Sequence, residues 1–344
     1  MKICIFSRPF HPAVGGLEQI AKTLAIEFSR LQHEVLVVTD TPSKSSDDKK
    51  FPFKIIRTKK FWQRYMAFTQ ADVILFMNFT FAGVPAAILA RKPIILSHHG
   101  IYKTSGSTAR KLTEWTKLQL TRFFENISVS NFVAQKIPGH SITIANAYDV
   151  DTFKLASNRR QRDFVFCGRL VSEKGANVLI SAFALALKSF PDATLTIIGD
   201  GPEKSALEEQ VSAEKCTENV EFSGVLRGKA LAKKMSDHIC MIAPSLLHEA
   251  FGIVVLEGIA SCDTVIVSSR GGLPEAVGSC GMVVEPTPEL LAQAMCSVLL
   301  ARTQSLPIPG QALTAERKLH LEKHAPRYVA QKYLTVLHTK AVSR

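Results

Sequence analysis

Residues 245–258 read Ser-Leu-Leu-His-Glu-Ala-Phe-Gly-Ile-Val-Val-Leu-Glu-Gly and follow an apolar run at 238–244 that is typical of a buried parallel strand. After Gly252 the apolar residues recur with helical spacing, beginning with Ile253 and Leu256. Gly252 therefore marks a junction from strand through loop to helix, the repeating unit of a parallel α/β fold. The unpaired N–H groups and partial positive charge at a helix N-terminus suit an anion, and above all a phosphate.

Two carboxylates flank this junction. Glu249 lies in the loop before the helix and Glu257 lies inside it, eight residues further on. Eight residues of helical rise span about 12 Å, so one elongated ligand could meet both. A sugar nucleotide has hexose, diphosphate and ribose in that order. Either carboxylate taken alone is more typical of a helix-dipole partner or a solvated helix residue, and only the pair around Gly252 indicates a ligand.

A second candidate loop follows an apolar strand at 163–167 and reads Gly-Arg-Leu-Val-Ser-Glu-Lys-Gly over 168–175. Arg169 offers planar bidentate contacts and Lys174 a point charge, which together can clamp a diphosphate. The alternative is a salt-bridged surface loop in which Lys174 pairs with Glu173.

The first half of the chain carries two further candidates at predicted strand ends. Gly15 and Gly16 open a helix after the first strand, where a phosphate can approach backbone N–H groups closely. A tight strand-to-helix turn would use the same residues.

His98 and His99 end a later strand, at the edge where open α/β sheets bind ligands. A structural histidine pair is the alternative, and the absence of a third ligand nearby argues against a metal.

Apolar runs alternate with helical patterns, which predicts an α/β fold with doubly wound parallel sheets. The polar, aperiodic segment 154–162 indicates a linker. We therefore expect a first domain at 1–155, a second at 163–325, and a C-terminal helix at about 326–344 that returns to the first. The strands expected in the first half lie near 2–6, 35–39, 53–57, 72–77, 93–97, 126–129 and 141–145.

Six segments together resemble the retaining glycosyltransferases of family 4 type (glycosyl transferases group 1), which have the GT-B architecture. That architecture places two facing Rossmann-like domains on either side of a cleft. The resemblance spans nearly the whole chain, with the segments in the family's order. They are Pro-Ala-Val-Gly-Gly-Leu-Glu at 12–18, His-His-Gly at 98–100, Asn-Ala-Tyr-Asp-Val-Asp-Thr-Phe at 146–153, the 168–175 loop, Glu-x7-Glu at 249–257 and Gly-Gly-Leu-Pro-Glu at 271–275.

The resemblance implies that Glu249 contacts the donor sugar and Glu257 the ribose, while Arg169 and Lys174 bind the donor phosphates without a metal. By the register of the following glycine, His99 lines the sugar site, with His98 as the alternative. The implied catalytic residues are Glu249, Arg169, Lys174 and His99. The implied donor contacts are Gly15, Gly16, His98, Arg169, Lys174, Gly199, Val225, Leu226, Glu249, Phe251, Gly252, Ile253, Val254 and Glu257.

Two positions depart from the family pattern in the segment that closes the first domain. Ala145 stands where the family has Pro, and Ala147 where it has Gly, so the turn is expected to differ. Asp149 and Asp151 form an Asp-x-Asp, which holds a divalent metal in another glycosyltransferase architecture. The surrounding residues fit the domain-closing segment better. We expect no metal and no cofactor, and Glu275 is interpreted as structural.

Charge is divided unevenly along the chain. Residues 1–160 hold 23 Lys and Arg against 11 Asp and Glu, whereas residues 161–344 hold 19 of each. The basic first half could meet an anionic bilayer surface, nucleic acid or only solvent. Without a nucleic-acid motif, a membrane surface ranks first, solvated faces second and nucleic acid last, so no nucleic-acid partner is expected.

The seven cysteines are scattered without a Cys-x2-Cys pair, which predicts a reducing compartment without a disulfide framework or structural zinc. No apolar run reaches the length of a membrane span, and the N-terminal run becomes a strand without a cleavage site. These features predict a cytoplasmic protein, peripheral on the inner face of the membrane if the basic half binds lipid.

The resemblance implies transfer of a sugar from a UDP- or GDP-sugar to a glycan or lipid-linked glycan, with retention of configuration. Synthesis of bacterial cell-surface polysaccharide or lipopolysaccharide is the process expected. Two other classes stay open: a sugar-nucleotide epimerase or hydrolase on the same architecture, which would need no acceptor, and a non-catalytic sugar-nucleotide binder. The presence of Arg169, Lys174 and Glu249 disfavours the binder.

Overall fold

The structure is a computed structural model that describes residues 1–13, 15–43, 45–102, 108–154 and 160–342. The chain forms two compact units, Met1–Ala147 with Pro326–Arg344 and Tyr148–Ala325. Residues 155–159 of the predicted linker lie outside the described residues. Each unit is built on one parallel sheet with its own helices.

The first unit contains a seven-stranded sheet in the order β3-β2-β1-β4-β5-β6-β7. Its strands are β1 (Lys2–Phe6), β2 (Glu34–Thr39), β3 (Lys54–Arg57), β4 (Val73–Met77), β5 (Ile94–His98), β6 (Glu125–Ser128) and β7 (Ser141–Thr143). Its first helices are α1 (Gly16–Arg30), α2 (Ser45–Asp48), α3 (Phe61–Thr69), α4 (Val84–Leu89), α5 (Thr108–Leu120) and α6 (Asn131–Ala134), and a 3-10 turn covers Thr121–Phe123.

Helices α3 and α4 cover one side of this sheet. They bury Phe68 and Ala87 in a cluster with Phe6 of β1 and Phe76 of β4. Phe124, at the end of the 3-10 turn, packs against the same cluster. Helices α3 and α4 and the turn after α5 therefore pack on one core. Their solvent-facing sides belong to one layer of helices.

The second unit contains a six-stranded sheet in the order β10-β9-β8-β11-β12-β13. Its strands are β8 (Arg162–Cys167), β9 (Leu195–Ile198), β10 (Val220–Gly224), β11 (His238–Ala243), β12 (Thr264–Ser268) and β13 (Met282–Val284). Its helices are α7 (Ala176–Leu187), α8 (Lys204–Ala213), α9 (Gly228–Ser236), α10 (Ile253–Ser261), α11 (Leu273–Val277), α12 (Pro288–Thr303) and α13 (Thr314–Glu322). The last helix of the chain, α14 (Pro326–Val342), belongs to the first unit.

All strand pairs in both sheets are parallel, because every connection between paired strands is a crossover that carries a helix or a longer segment. The central strands β4 and β11 are buried along their whole length, as their continuous apolar sequences require. The predicted architecture of two doubly wound, Rossmann-like domains is confirmed. The seven strands expected in the first half are all present, with ends within two residues of those expected.

The division between the units falls after Ala147, whereas the sequence analysis set the end of the first domain at 155. The backbone explains the difference, because Tyr148 N donates to the carbonyl of His324 at 3.3 Å and so ties this segment to the second unit. Phe153 is buried, and its N–H donates to the carbonyl of Asp149.

Candidate active site

The candidate residues of the second unit lie at the carboxyl ends of its strands. The 168–175 loop follows β8, Gly199 follows β9, Val225 and Leu226 follow β10, and the 245–252 loop joins β11 to α10. Since parallel strands present their carboxyl ends at one edge, these loops form one continuous surface. The sequence-predicted donor contacts of this unit are therefore brought together.

The 168–175 loop is held against the end of β11 by its backbone. Leu246 N donates to the carbonyl of Glu173 at 3.0 Å. Gly175 has φ +71, and a Cβ there would lie 2.2 Å from the carbonyl oxygen of Pro244. Only glycine tolerates both the left-handed conformation and this approach, so Gly175 fixes the distance between the two loops.

The two loops also meet through side chains. Lys174 Nζ lies 2.8 Å from Glu249 Oε1, so the lysine pairs across the site and not with its neighbour Glu173. The hydroxyl of Ser245 donates to the same carboxylate oxygen. Glu249 is thereby oriented by two groups that a donor sugar or phosphate would share.

Arg169 extends from the end of β8 into solvent, one residue after Gly168. Within the described part of the chain, no carboxylate lies within ion-pairing distance of its guanidinium. Its five N–H donors are therefore presented at the same sheet edge as Lys174.

The start of α10 provides a third positive group. Gly252 caps the helix with φ +100 and without a side-chain hydrogen bond, so the first helical N–H groups, at Ile253 and Val254, stay open to an anion. The side chain of Phe251 is buried, with its ring 5.7 Å from that of His324. For Phe251, only the backbone is placed to contact a ligand.

Glu257 sits one turn into α10 and is half-buried. Burial raises the pKa of its carboxyl to about 7, and the nearby Asp149 carboxylate adds to the shift. The neighbouring Cys167 thiol has its pKa raised to about 12 by burial and by Glu257, with Lys174 opposing the shift. Glu257 and Lys174 therefore both lie near the end of β8, as one bound nucleotide would require.

The remaining donor candidates of this unit surround the same edge. Gly199 N donates to the carbonyl of Gly224 at 2.8 Å, which brings the ends of β9 and β10 together. Val225 is exposed and Leu226 half-buried just beyond them. This arrangement presents backbone groups and small apolar surfaces that suit a planar nucleobase.

In the first unit, Gly15 and Gly16 lie at the start of α1. The Glu18 carboxylate folds back over the turn, since a Cβ at Gly15 would lie 2.4 Å from its Oε2. Gly15 has φ 175, an extended conformation open to any residue. A Cβ at Gly16 would meet nothing within 4 Å, so this helix start is accessible.

The ring of His98 belongs to the core of the first unit. It is fully buried, and its nitrogens hydrogen bond to Tyr102 Oη at 2.8 Å and Asn126 Oδ1 at 2.9 Å. Burial lowers its pKa to about 4, so the ring is neutral at physiological pH. These contacts leave no part of the His98 ring exposed to a donor substrate. The expectation of a ligand contact at His98 is therefore corrected.

His99 is held in one tautomer. Asn146 Oδ1 only accepts hydrogen bonds, so the ring donates from Nδ1 to it at 3.1 Å. The other nitrogen, Nε2, then accepts from the Ser97 hydroxyl at 2.8 Å, which in turn accepts from Tyr333 of α14 at 2.6 Å. Burial lowers the pKa of His99 to about 3. This neutral, doubly bonded ring is not suited to proton transfer.

In the Asp-x-Asp segment, the Asp149 carboxylate accepts hydrogen bonds from the backbone that follows it. Asp149 Oδ1 accepts from the backbone N–H groups of Asp151 and Thr152 at 3.2 and 3.1 Å. Across the described residues, no group of three or more His, Cys, Asp or Glu side chains is placed to hold a metal ion. Within the same ranges, no helix is long and apolar enough to cross a membrane.

Sequence reasoning missed three supports of the site. Ser245 orients Glu249, and the Asp149 carboxylate adds to the raised pKa of Glu257. Gly271 has φ +68, and a Cβ there would lie 2.2 Å from the carbonyl oxygen of Glu249, which bonds to Gly272 N at 2.8 Å. The glycine motif at 271–275 was visible in the sequence, but its contact with Glu249 forms only when the chain folds.

Two family models match the chain. Glycosyl transferases group 1 matches residues 148–306, and Glycosyltransferase Family 4 matches residues 14–144. The two matched segments correspond closely to the second and first units.

Curated relatives share parts of the sequence. A phosphatidylinositol N-acetylglucosaminyltransferase component of Arabidopsis thaliana is 28% identical over 215 residues, which are 59% of this chain and 47% of the relative. Phosphatidyl-myo-inositol mannosyltransferase of Mycobacterium tuberculosis is 28% identical over 231 residues, 62% of this chain and 59% of the relative. The chain thus spans about half the length of these relatives.

Solved structures share the fold. HepE of Anabaena, crystallised with UDP, superposes with a TM-score of 0.83 at 18% identity, covering 98% of this chain and 100% of that one. WaaG, described as a glycosyltransferase of lipopolysaccharide biosynthesis, has a TM-score of 0.69 at 16% identity, covering 97% and 99%. With both family models matching in order along one chain, the protein belongs to the family 4 type of glycosyltransferases with the GT-B architecture.

Proposed function

We propose that the protein transfers a sugar from a nucleoside-diphosphate sugar to a glycan or lipid-linked glycan, with retention of configuration and without a metal. The observation that carries the proposal is the junction of Lys174 and Glu249, 2.8 Å apart, beside the open start of α10. A cationic group and a carboxylate thus meet at the loop that leads into an open helix N-terminus. Diphosphate and sugar hydroxyls are the ligand groups that require this combination.

The donor would lie along that edge of the second unit. Its diphosphate would meet Arg169, Lys174 and the first N–H groups of α10, its sugar hydroxyls Glu249, and its ribose Glu257. Arg169 and Lys174 would neutralise the charge that develops on the leaving diphosphate, which is the role a metal has in other transferases. Gly199, Val225 and Leu226 would border the base.

Chemistry would proceed on one face of the sugar. The bond from the anomeric carbon to the phosphate oxygen breaks as the acceptor oxygen bonds to that carbon, and the acceptor proton passes to the departing phosphate. No side chain is assigned as a covalent nucleophile. His99 would border the sugar with the face or edge of its neutral ring, since both of its ring nitrogens are already engaged by Ser97 and Asn146.

Similarity to named proteins supports the choice of substrates. Structures that share this fold were solved with UDP and with UDP-glucose. Two curated relatives are named as transferases acting on phosphatidylinositol or phosphatidyl-myo-inositol, and WaaG is described as acting in lipopolysaccharide biosynthesis. We therefore favour a UDP- or GDP-sugar as donor, a lipid-linked acceptor, and cell-surface polysaccharide or lipopolysaccharide as the product.

The test is a thermal-shift panel of UDP-, GDP-, ADP- and TDP-sugars, measured without added metal and again with EDTA. A ligand that binds the folded state raises the melting temperature according to its concentration over Kd. A shift selective for one base, undiminished by EDTA, is expected. Arg169→Ala should weaken binding of that nucleotide about 10- to 100-fold, whereas Lys188→Ala, an exposed site at the opposite end of α7, should not.

Turnover then separates the enzyme classes. The selected donor should release nucleotide only when a glycan or glycolipid acceptor is present, and the product should keep the anomeric configuration of the donor. Acceptor-independent turnover would indicate a hydrolase or epimerase instead. Equal binding by the wild-type and Arg169→Ala proteins would refute the phosphate clamp.

A further inference from the structure

Both tryptophans of the chain lie on the surface of the first unit. Trp62 of α3 is 66% exposed and Trp115 of α5 is 57% exposed. A large aromatic ring gains more from burial than almost any other side chain. In the described part of the second unit, by contrast, no phenylalanine, tyrosine or tryptophan is exposed.

The exposed rings belong to a wider apolar surface. Trp62 and Met66 are on the side of α3 opposite to Ala67 and Phe68, which face the core. Helix α4 packs on the same core as α3, and the turn after α5 adjoins α4, since Ile88 and Phe123 line one surface depression. We call this set the outer helix surface, and its exposed apolar members are Phe61, Trp62, Met66, Ile88, Leu89, Leu112, Trp115 and Phe123.

Basic side chains border these apolar groups. Residues 59–124 hold ten Lys and Arg against two Asp and Glu, a net charge of +8 within a whole-chain total of +12. Ile88, Arg91, Lys92 and Phe123 line one surface depression. The positive charge is therefore concentrated on the segments that also expose aromatic rings.

We propose that the outer helix surface docks on an anionic lipid bilayer, with its aromatic and aliphatic side chains at headgroup depth. Trp and Phe favour that depth because the interface accommodates an apolar ring beside polar groups. Lys and Arg are attracted by the negative potential of anionic lipids. Nucleic acid would match the charge but would leave Leu89, Leu112 and Met66 without apolar partners. This surface would bring the protein to a lipid-linked acceptor, which is where the inference meets the proposed function.

The test uses vesicles without donor or acceptor, so its failure is distinct from failure of the proposed function. Because the chain has two tryptophans and both belong to the outer helix surface, intrinsic fluorescence reports docking directly. Phosphatidylglycerol-containing vesicles should shift the emission to the blue, and pure phosphatidylcholine vesicles should not. Acyl-brominated lipids should quench the single remaining tryptophan in both Trp62→Phe and Trp115→Phe.

Charge variants test the electrostatic part by vesicle flotation. Lys59 and Lys60 are exposed at the start of α3, and replacing both by alanine should lower the partition coefficient about 10- to 30-fold, since each basic residue near the surface contributes about fivefold. The matched control is Lys318→Ala with Leu319→Ala, an exposed basic and apolar pair on α13 of the second unit. This control should bind vesicles like the wild type, and circular dichroism confirms that each variant is folded.

Three results would overturn the proposal. The first is equal binding to anionic and zwitterionic vesicles. The second is equal partition of the Lys59, Lys60 variant and the wild type. The third is concentration-dependent self-association that shifts tryptophan emission without lipid, because this would make a second copy of the chain the occupant of the surface.

Discussion

Single side chains of the β11–α10 loop and of α10 determine the electrostatics of the candidate donor site. Glu249 is oriented by Lys174 and Ser245, so its position follows from an ion pair and a hydrogen bond. Burial and the Asp149 carboxylate raise the pKa of Glu257 to about 7.

Donor affinity should therefore depend on pH. Ribose hydroxyls donate hydrogen bonds to a carboxylate and so favour the ionised form of Glu257. At a pH below its pKa of about 7, binding must first remove the proton from this side chain. The Kd for the preferred nucleotide sugar should be up to about tenfold weaker at pH 6 than at pH 8. Nucleotide sugars are suitable probes because their diphosphate does not titrate in this range. Titration calorimetry should find that the Glu257→Gln protein binds the nucleotide sugar more weakly and independently of pH. If the variant keeps the pH dependence of the wild type, another group is responsible for that dependence.

The same group affects stability with a defined sign. The folded-state pKa of Glu257 is above the ordinary value of 4.5, so folded protein retains a proton that the unfolded chain releases. The contribution of this carboxyl to stability is present at low pH and falls as pH rises from about 4.5 to 7. Comparing urea unfolding of wild-type and Glu257→Gln proteins at pH 5 and pH 8 isolates this contribution.

At the scale of secondary-structure elements, the candidate donor site depends on loops that touch through their backbones. Gly175 brings the 168–175 loop to the end of β11, and Gly271 brings the turn after β12 to Glu249. These contacts explain why short glycine motifs accompany the charged residues along the chain.

Gly271→Ala should damage both stability and donor binding. The new Cβ would occupy a left-handed conformation and lie 2.2 Å from the Glu249 carbonyl, so the loop must move. We expect the free energy of unfolding to fall by about 3 kcal/mol or more, with loss of donor binding. Gly139→Ala is the matched control, because Gly139 has φ +99 but its nearest neighbour would be 3.7 Å away. That change should cost about 1–2 kcal/mol and leave nucleotide binding intact in a calorimetric titration.

Helix α14 is fastened to the first unit by a buried hydroxyl. Tyr333 is fully buried and donates to Ser97, the residue that bonds to His99. Tyr333→Phe should lower the free energy of unfolding by about 1 kcal/mol. Tyr328→Phe, on an exposed position of the same helix, should have no effect in the same denaturant titration. Equal effects of the two changes would show that the Ser97 bond does not fasten the helix.

At the scale of the whole molecule, our proposals place the nucleotide on the second unit and the membrane surface on the first. Binding of UDP or the preferred nucleotide should protect the second unit in hydrogen exchange, most strongly over 168–175 and 245–257, and should stabilise it by about 2.7 kcal/mol at 100 times Kd. Amides of the α3 and α4 segments should exchange as before. Protection centred on 97–100 would place the nucleotide on the first unit instead.

The order of residues along the chain was sufficient to predict the architecture and to nominate the residues of a candidate donor site. Alternating apolar runs predicted the parallel strands because both faces of such a sheet are covered and their residues are uniformly apolar. Arg169, Lys174, Glu249 and Glu257 could be proposed because phosphates and hydroxyls require those side chains beside strand ends. The structure brings these residues to one sheet edge, and their roles in binding and catalysis remain predictions.

Which of several similar side chains stay accessible, and which are enclosed, could be read only from tertiary packing. His98 and His99 are adjacent in sequence, yet the His98 ring is enclosed by Tyr102 and Asn126 from other positions. The pairing of Lys174 with Glu249, and not with its neighbour Glu173, likewise follows from the way two loops pack. A sequence pattern records which groups are available along the chain, whereas burial and partners depend on contacts between segments far apart in it.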